Sequence, residues 1–241
     1  MKTKKNKINK TPLSKSELVS VYQTAVSLFK QYKPDLSQAL AHIEQALASR
    51  GIEAVESALA SLSISLRKID KNFSIKIAEL LIEKVPKSAA AHLNLAYTYE
   101  HFKDYKSSAA ALQGCLKNKP TPDTLVKCGA LFAKYSLDKD AIECVKKGYA
   151  LSGQSIDVAS ATLRVALKVA DWETANQITS QLKQHYAQQD FNGVETPRTH
   201  LLWCADEALN IKVLSKFAES NFPARDTDFT YPRKNINKTK T

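Results

Sequence analysis

The sequence predicts an all-α chain built from repeated helix pairs, and three observations carry that reading. Apolar residues recur at three- and four-residue spacing along nearly the whole chain, the period of a helix with one face on a core. No stretch alternates apolar and polar residues over strand length. Glycine is scarce, six in 241 residues, which leaves few tight turns for an all-β fold and no phosphate loop for a dinucleotide-binding one. With 44% hydrophobic residues the chain can bury a core, and general disorder is excluded.

A first helix is predicted over 14–33. Ser14 and Glu17 stand at capping-box spacing, and Leu18, Val21, Tyr22, Ala25, Leu28 and Phe29 form the apolar stripe that follows. Pro34 ends it, because proline removes a donor and disfavours helix in the residue before it. A second helix runs from Leu36 to about Ala48 and stops near Gly51. Farther on, Pro86 and Pro120 each close an apolar helix and lie 34 residues apart. Between them Leu95, Ala96 and Tyr99 precede Asp104 and Tyr105, then Ser108, Leu112 and Cys115. The next stretch repeats the plan with Cys128, Gly129 and Phe132, then Ala141, Val145 and Gly148, with a turn at Gly153. Upstream, Leu62, Ser63 and Leu66 lead to Ser74, Ala78 and Leu81. Downstream, Asp171, Trp172 and Ala175 echo Asp104, Tyr105 and Ser108. The units expected are 55–88, 89–121, 122–154 and 156–189, with 14–33 and 36–50 as an atypical capping pair. Small residues (Ala96, Ser108, Gly129, Ala141) let paired helices approach, while Tyr99, Leu112 and Phe132 fill the space beside them. Asp104, Asp138 and Asp171 fall in the turns, where a short acid caps the helix that follows.

This plan, and Leu95-Ala96-x-x-Tyr99 closing on Pro120 above all, resembles the tetratricopeptide repeat family with its unit of about 34 residues. The resemblance implies a right-handed superhelical solenoid of antiparallel helix pairs over 14–189, in which stacking neighbours completes each core. Ser63 in an outer unit, and the lack of the family's common Trp in any unit, depart from the pattern. The function implied is a protein-interaction scaffold without catalytic activity of its own, its first helices lining a concave groove that holds a peptide or protein partner. On the matching positions the groove residues are Asn94, Tyr97, Glu100, His101, Lys127 and Lys134. Asn94 and Lys127 stand where family members grip a terminal carboxylate, a Lys-to-carboxylate bond beside an Asn amide. The unit before them offers Leu59 and Ser63 in place of such a pair, so an ordinary polar concave face is the alternative.

The stretch 190–221 reads as a linker followed by a C-terminal capping helix, with Leu202, Ala205, Leu209, Val213 and Phe217 at core spacing. Within it, Leu202 to Asn210 is similar to the joint in bacterial repeat-bearing glycosyltransferases of the SPINDLY or O-linked GlcNAc transferase kind. That similarity implies an alternative function as a substrate-presenting or accessory portion of a glycosylation system, with a glycosyltransferase or its substrate as partner. Only 24 residues follow Phe217, so none of the residues of the catalytic region found after that joint carries over onto this sequence.

The net charge of +11 is concentrated at the ends. Residues 1–16 hold six lysines and 229–241 four basic residues, with no acid in either, so the rest is nearly neutral. The stretches 1–13 and 222–241 read as disordered basic tails. They give a sequence-independent attraction to polyanions, but without interleaved aromatic platforms a nucleic-acid partner is disfavoured. No window approaches a membrane span or a signal peptide, and the four cysteines form no CxxC pair, so a reducing cytoplasmic setting is expected. His200 and Cys204 lie one helical turn apart and read as packing residues. No metal-ligand cluster, phosphate loop or catalytic motif is present in the sequence, and no cofactor is expected.

Overall fold

The computed structural model describes residues 11–32, 36–153 and 155–187. These residues form ten α-helices and no β-strand: α1 (Lys15–Tyr32), α2 (Ser37–Leu47), α3 (Ile52–Leu66), α4 (Lys71–Lys84), α5 (Ala89–His101), α6 (Tyr105–Lys117), α7 (Pro122–Lys134), α8 (Asp138–Leu151), α9 (Ile156–Lys168) and α10 (Trp172–Ala187). The order is that of five consecutive pairs. The expected capping helix after residue 190, the Leu202 to Asn210 stretch, and the basic ends at 1–10 and 222–241 lie outside the described residues. The chain divides into two units at Thr124 and Leu125, inside α7.

In the first unit α1 packs on α2, α3 on α4 and α5 on α6, while α4 against α5 and α3 against α5 join successive pairs. One core runs through α1 to α4 and reaches Ala91 on α5. Its largest side chains include Phe73, fully buried and stacked on Phe29 with ring centroids 4.9 Å apart. The capping pair is therefore keyed into the array through an aromatic contact. Leu13 packs against the same core, and Arg50 donates to the Thr11 carbonyl at 3.4 Å and to Glu17 at 2.6 Å. An apolar side chain and the cation that follows α2 thus hold residues 11–13 beside α1. In the second unit α8 packs on α9 and α9 on α10, around Tyr149, Leu163, Ala166, Ala175 and Ile178.

Helix starts follow the short polar residues before them. The Ser14 hydroxyl accepts from Glu17 N–H at 3.2 Å and the Glu17 carboxylate accepts from Ser14 N–H at 2.8 Å, the predicted reciprocal cap. Asp70, Ser88, Asp104 and Asp171 accept from the backbone three residues on, at 3.0–3.1 Å. Asp138 does not: Leu137 is the capping position of α8 and makes no side-chain bond, while Asp138 is already the first helical residue. There its charge meets the helix dipole but its oxygen replaces no backbone partner.

The turns repeat as closely as the helices. Lys103, Ser136 and Ala170 have φ of 60°, 59° and 57°, and each is followed by a residue whose N–H reaches back five positions. Asp104 donates to Tyr99 O at 3.0 Å, Leu137 to Phe132 O at 2.9 Å and Asp171 to Ala166 O at 2.9 Å. All three are Schellman closures, and they recur every 33 or 34 residues. Lys119 and Gly153, between pairs, share a positive φ and the 34-residue interval.

Candidate protein-binding face

The first helices of the pairs supply the expected groove residues. Asn94, Tyr97, Glu100 and His101 all lie on α5, whose core side is taken by Ala91, Leu93 and Ala96. The second helix of this pair, α6, approaches closely because Ser108 is small and buried; its hydroxyl donates to Ala96 O at 2.8 Å. Ser74 does the same one pair earlier, donating to Ser63 O at 2.8 Å. These bonds fix how each first helix is rolled, and so which residues face outward.

On the side of α5 that meets α3, polar groups form a seam. The Ser63 hydroxyl donates to Asn94 Oδ1 at 2.7 Å, and Asn94 Nδ2 donates to Ala60 O at 3.4 Å. Thr98, fully buried, donates to Asn94 O at 2.9 Å and accepts from Arg67 Nη2 at 3.0 Å. Arg67 is half-buried, and burial pulls its guanidinium below the ordinary value, opposed by the nearby Glu100 carboxylate. Its Nε is buried without a partner among the described residues.

This placement changes the reading of Asn94. It is 8% exposed, and both ends of its amide are engaged by α3. Tyr97 and Glu100 are half-buried, and His101 is exposed at the helix end with its ring edge-on to Phe102 at 4.9 Å. Arg67 was not singled out by sequence. The signal available was a cation directly after α3, the first of the pair Arg67-Lys68, in a position that Glu100 fills on α5.

In the second unit Lys127 and Lys134 lie on α7 and are exposed, with Ala130 exposed between them. The opposite side of α7 carries Leu125, Cys128, Leu131 and Phe132, all buried. Gly129 lies against α8: a Cβ there would stand 2.6 Å from Val145 Cγ1 and 2.9 Å from the Ala141 carbonyl oxygen. Cys115, Cys128 and Cys144 are buried. No group of three metal-ligating side chains exists among the described residues, and no helix among them is long and apolar enough to cross a membrane.

No family model matches the chain, and no curated protein matches it. Solved structures similar to it include that of the functional characterization of Pseudomonas aeruginosa pilF, at 15% identity over 86% of each chain with a TM-score of 0.48. The MamA RS-1 ArsTM double mutant has 14% identity over 73% of this chain and 98% of that one, with a TM-score of 0.46. MamA 41-end from Desulfovibrio magneticus RS-1 has 15% identity over the same shares, with a TM-score of 0.45. Paired helices, small residues at the close approaches and Schellman turns every 33 or 34 residues give the described residues of each unit a tetratricopeptide-like fold.

Proposed function

We propose that this chain is a protein-interaction scaffold that receives a peptide or protein segment on the first helices of its pairs, with no chemistry of its own. The observation that carries the reading is the arrangement on α3 and α5. Both helices spend one side on the core, and the polar seam beside it presents Tyr97, Glu100, His101 and Arg67 on a locked backbone. Such a surface offers an aromatic and charged groups of both signs, the side-chain types that anchor protein partners. Lys127 and Lys134 extend the reading to α7. Asn94 is left out of the contact set because its amide is spent on α3. The glycosylation-linked alternative rests on Leu202 to Asn210, and none of the described helices adds to it.

The test is quantitative capture of proteins by the full-length chain, compared with Tyr97→Ala/His101→Ala and with Lys127→Ala/Lys134→Ala. At least one double variant is expected to lose a defined partner by about tenfold, the effect of roughly 1.4 kcal/mol of contact energy. Recovery of the same proteins at the same yield by both variants would remove these faces from the function.

A further inference from the structure

We infer that the edge of the first unit where α1, α3 and α5 end docks onto an anionic lipid bilayer; this goes beyond the scaffold reading and does not depend on it. Each of these ends carries an exposed apolar side chain beside exposed lysine. Tyr32 follows Lys30 on α1, Ile69 lies between Lys68 and Lys71, and Tyr105 lies between Lys103 and Lys106. Tyr32 is 42% exposed, Ile69 37% and Tyr105 43%. The three ends adjoin. Phe29 stacks on Phe73 and so brings the end of α1 to the start of α4. Lys71 Nζ lies 5.9 Å from the Phe102 ring centroid, which joins the α3–α4 turn to the α5–α6 turn.

The acids of these two turns are directed away from the surface. Asp70 and Asp104 are half-buried and accept from the backbone of the helices they start, from Phe73 N–H at 3.0 Å and Ser107 N–H at 3.1 Å. Elsewhere the combination breaks up. The turns after α4 and α6 also expose lysine, at Lys87, Lys117 and Lys119, so charge alone does not mark the edge. There, at 84–88 and 117–121, the only large apolar side chain besides proline is Val85, and it is buried. Ile52 is exposed at the start of α3, but its neighbours are Glu53 and an Arg50 paired with Glu17 at 2.6 Å. In the second unit Leu137 and Trp172 are exposed, each followed directly by an exposed acid, Asp138 and Glu173.

The occupant follows from this mixture. At a bilayer interface tyrosine and aliphatic side chains enter the headgroup level, while lysine stems lie along them and the ammonium groups reach lipid phosphate and carboxylate. A nucleic acid would need open ring faces. The Phe102 face is taken by Lys71 and its ring meets His101 edge-on at 4.9 Å, and Ile69 offers a base nothing to stack on.

The experiment is co-sedimentation of the full-length chain with vesicles of phosphatidylcholine and with vesicles holding about one third phosphatidylserine. Binding is expected to the anionic vesicles alone, falling between about 50 and 200 mM salt. Lys68→Glu/Lys103→Glu is expected to weaken it by about tenfold or more, at about fivefold for each lysine at a charged surface. Ile69→Ser/Tyr105→Ser, which leaves the charge unchanged, is expected to weaken it by about threefold or more. Lys87→Glu/Lys117→Glu is expected to cost less than about threefold. The 13-residue α5 sets that edge about 20 Å away, roughly two screening lengths at 0.1 M salt. Thermal unfolding checks that the variants fold, with Lys68→Gln/Lys103→Gln as the milder pair. Vesicles left unbound, or bound equally without phosphatidylserine, would overturn the inference. So would equal losses from the two lysine pairs, or loss confined to a chain with Lys2, Lys4, Lys5, Lys7 and Lys10 changed to Gln. Oligouridylate bound through Lys68 and Lys103 while vesicles are ignored would assign the edge to nucleic acid instead.

Discussion

Gly129 shows how much one missing methyl group decides. A Cβ at that position would lie 2.9 Å from a backbone oxygen of α8, which can move only if the helix moves. Gly114 differs in kind: its Cβ would meet the His92 ring at 2.5 Å, and a partly exposed side chain can swing away. Gly129→Ala is therefore expected to cost about 1–3 kcal/mol as overpacking, measured by denaturant unfolding. Gly114→Ala should cost clearly less, since the gain of about 1 kcal/mol in helix propensity offsets the displaced ring. Equal losses would contradict the close-approach account. The small residue at Gly129 was legible from sequence because its spacing to Ala141 repeats that of Ala96 to Ser108. The packing of Asn94 against α3 was not legible. Its fate is set by Ser63, 31 residues earlier, and no local pattern reports which neighbour will take an amide.

At the scale of helices and turns, the chain places ordinary side chains where glycine would be easier. Ala170 closes α9 at φ 57°, a region that costs an L-residue about 1–2 kcal/mol. Glycine there would remove that strain and add back about 0.5–1 kcal/mol of unfolded-state entropy. Ala170→Gly is thus expected to stabilise by up to about 1 kcal/mol, seen as a raised Tm. Gly153→Ala, at φ 63° with open space around it, should lower Tm by a comparable amount. The helix bounds were readable to within a few residues, since prolines and the apolar period mark them. The caps were readable where an acid or serine precedes the first turn. Asp138 misled because the Schellman closure there ends on Leu137, which takes the capping position and leaves the acid as the first residue of α8. Arg67 was hidden because its role depends on Thr98 and Glu100 of the following pair.

For the molecule as a whole, the caps set a shared response to acid. The Ser107 backbone N–H, with the bond from that residue's side chain, holds Asp104 below the usual carboxylate range. Burial works against ionisation of Asp171, yet Thr174 and Lys146 hold it below as well. The Ser14 backbone and hydroxyl, and then Arg50, do the same for Glu17. Each carboxylate gives up its proton more readily when folded, so the unfolded chain takes protons up first as pH falls. Their stabilisation is complete above about pH 4 and is lost as pH drops through the folded values. Unfolding midpoints from pH 6 down to pH 2, on the order of the carboxylate range, should fall less steeply in Asp104→Asn/Asp171→Asn than in the parent chain. Parallel curves would mean that these caps carry no linkage.

The seam of Ser63, Asn94, Thr98 and Arg67 has a kinetic consequence. Its hydroxyl, amide and guanidinium groups are already immobilised by one another before any partner arrives. A segment landing beside them would freeze few rotamers on the array's side, so the ordering cost of association falls on the incoming chain. Stiffening that chain, and not the array, is then the way to lengthen the life of the complex.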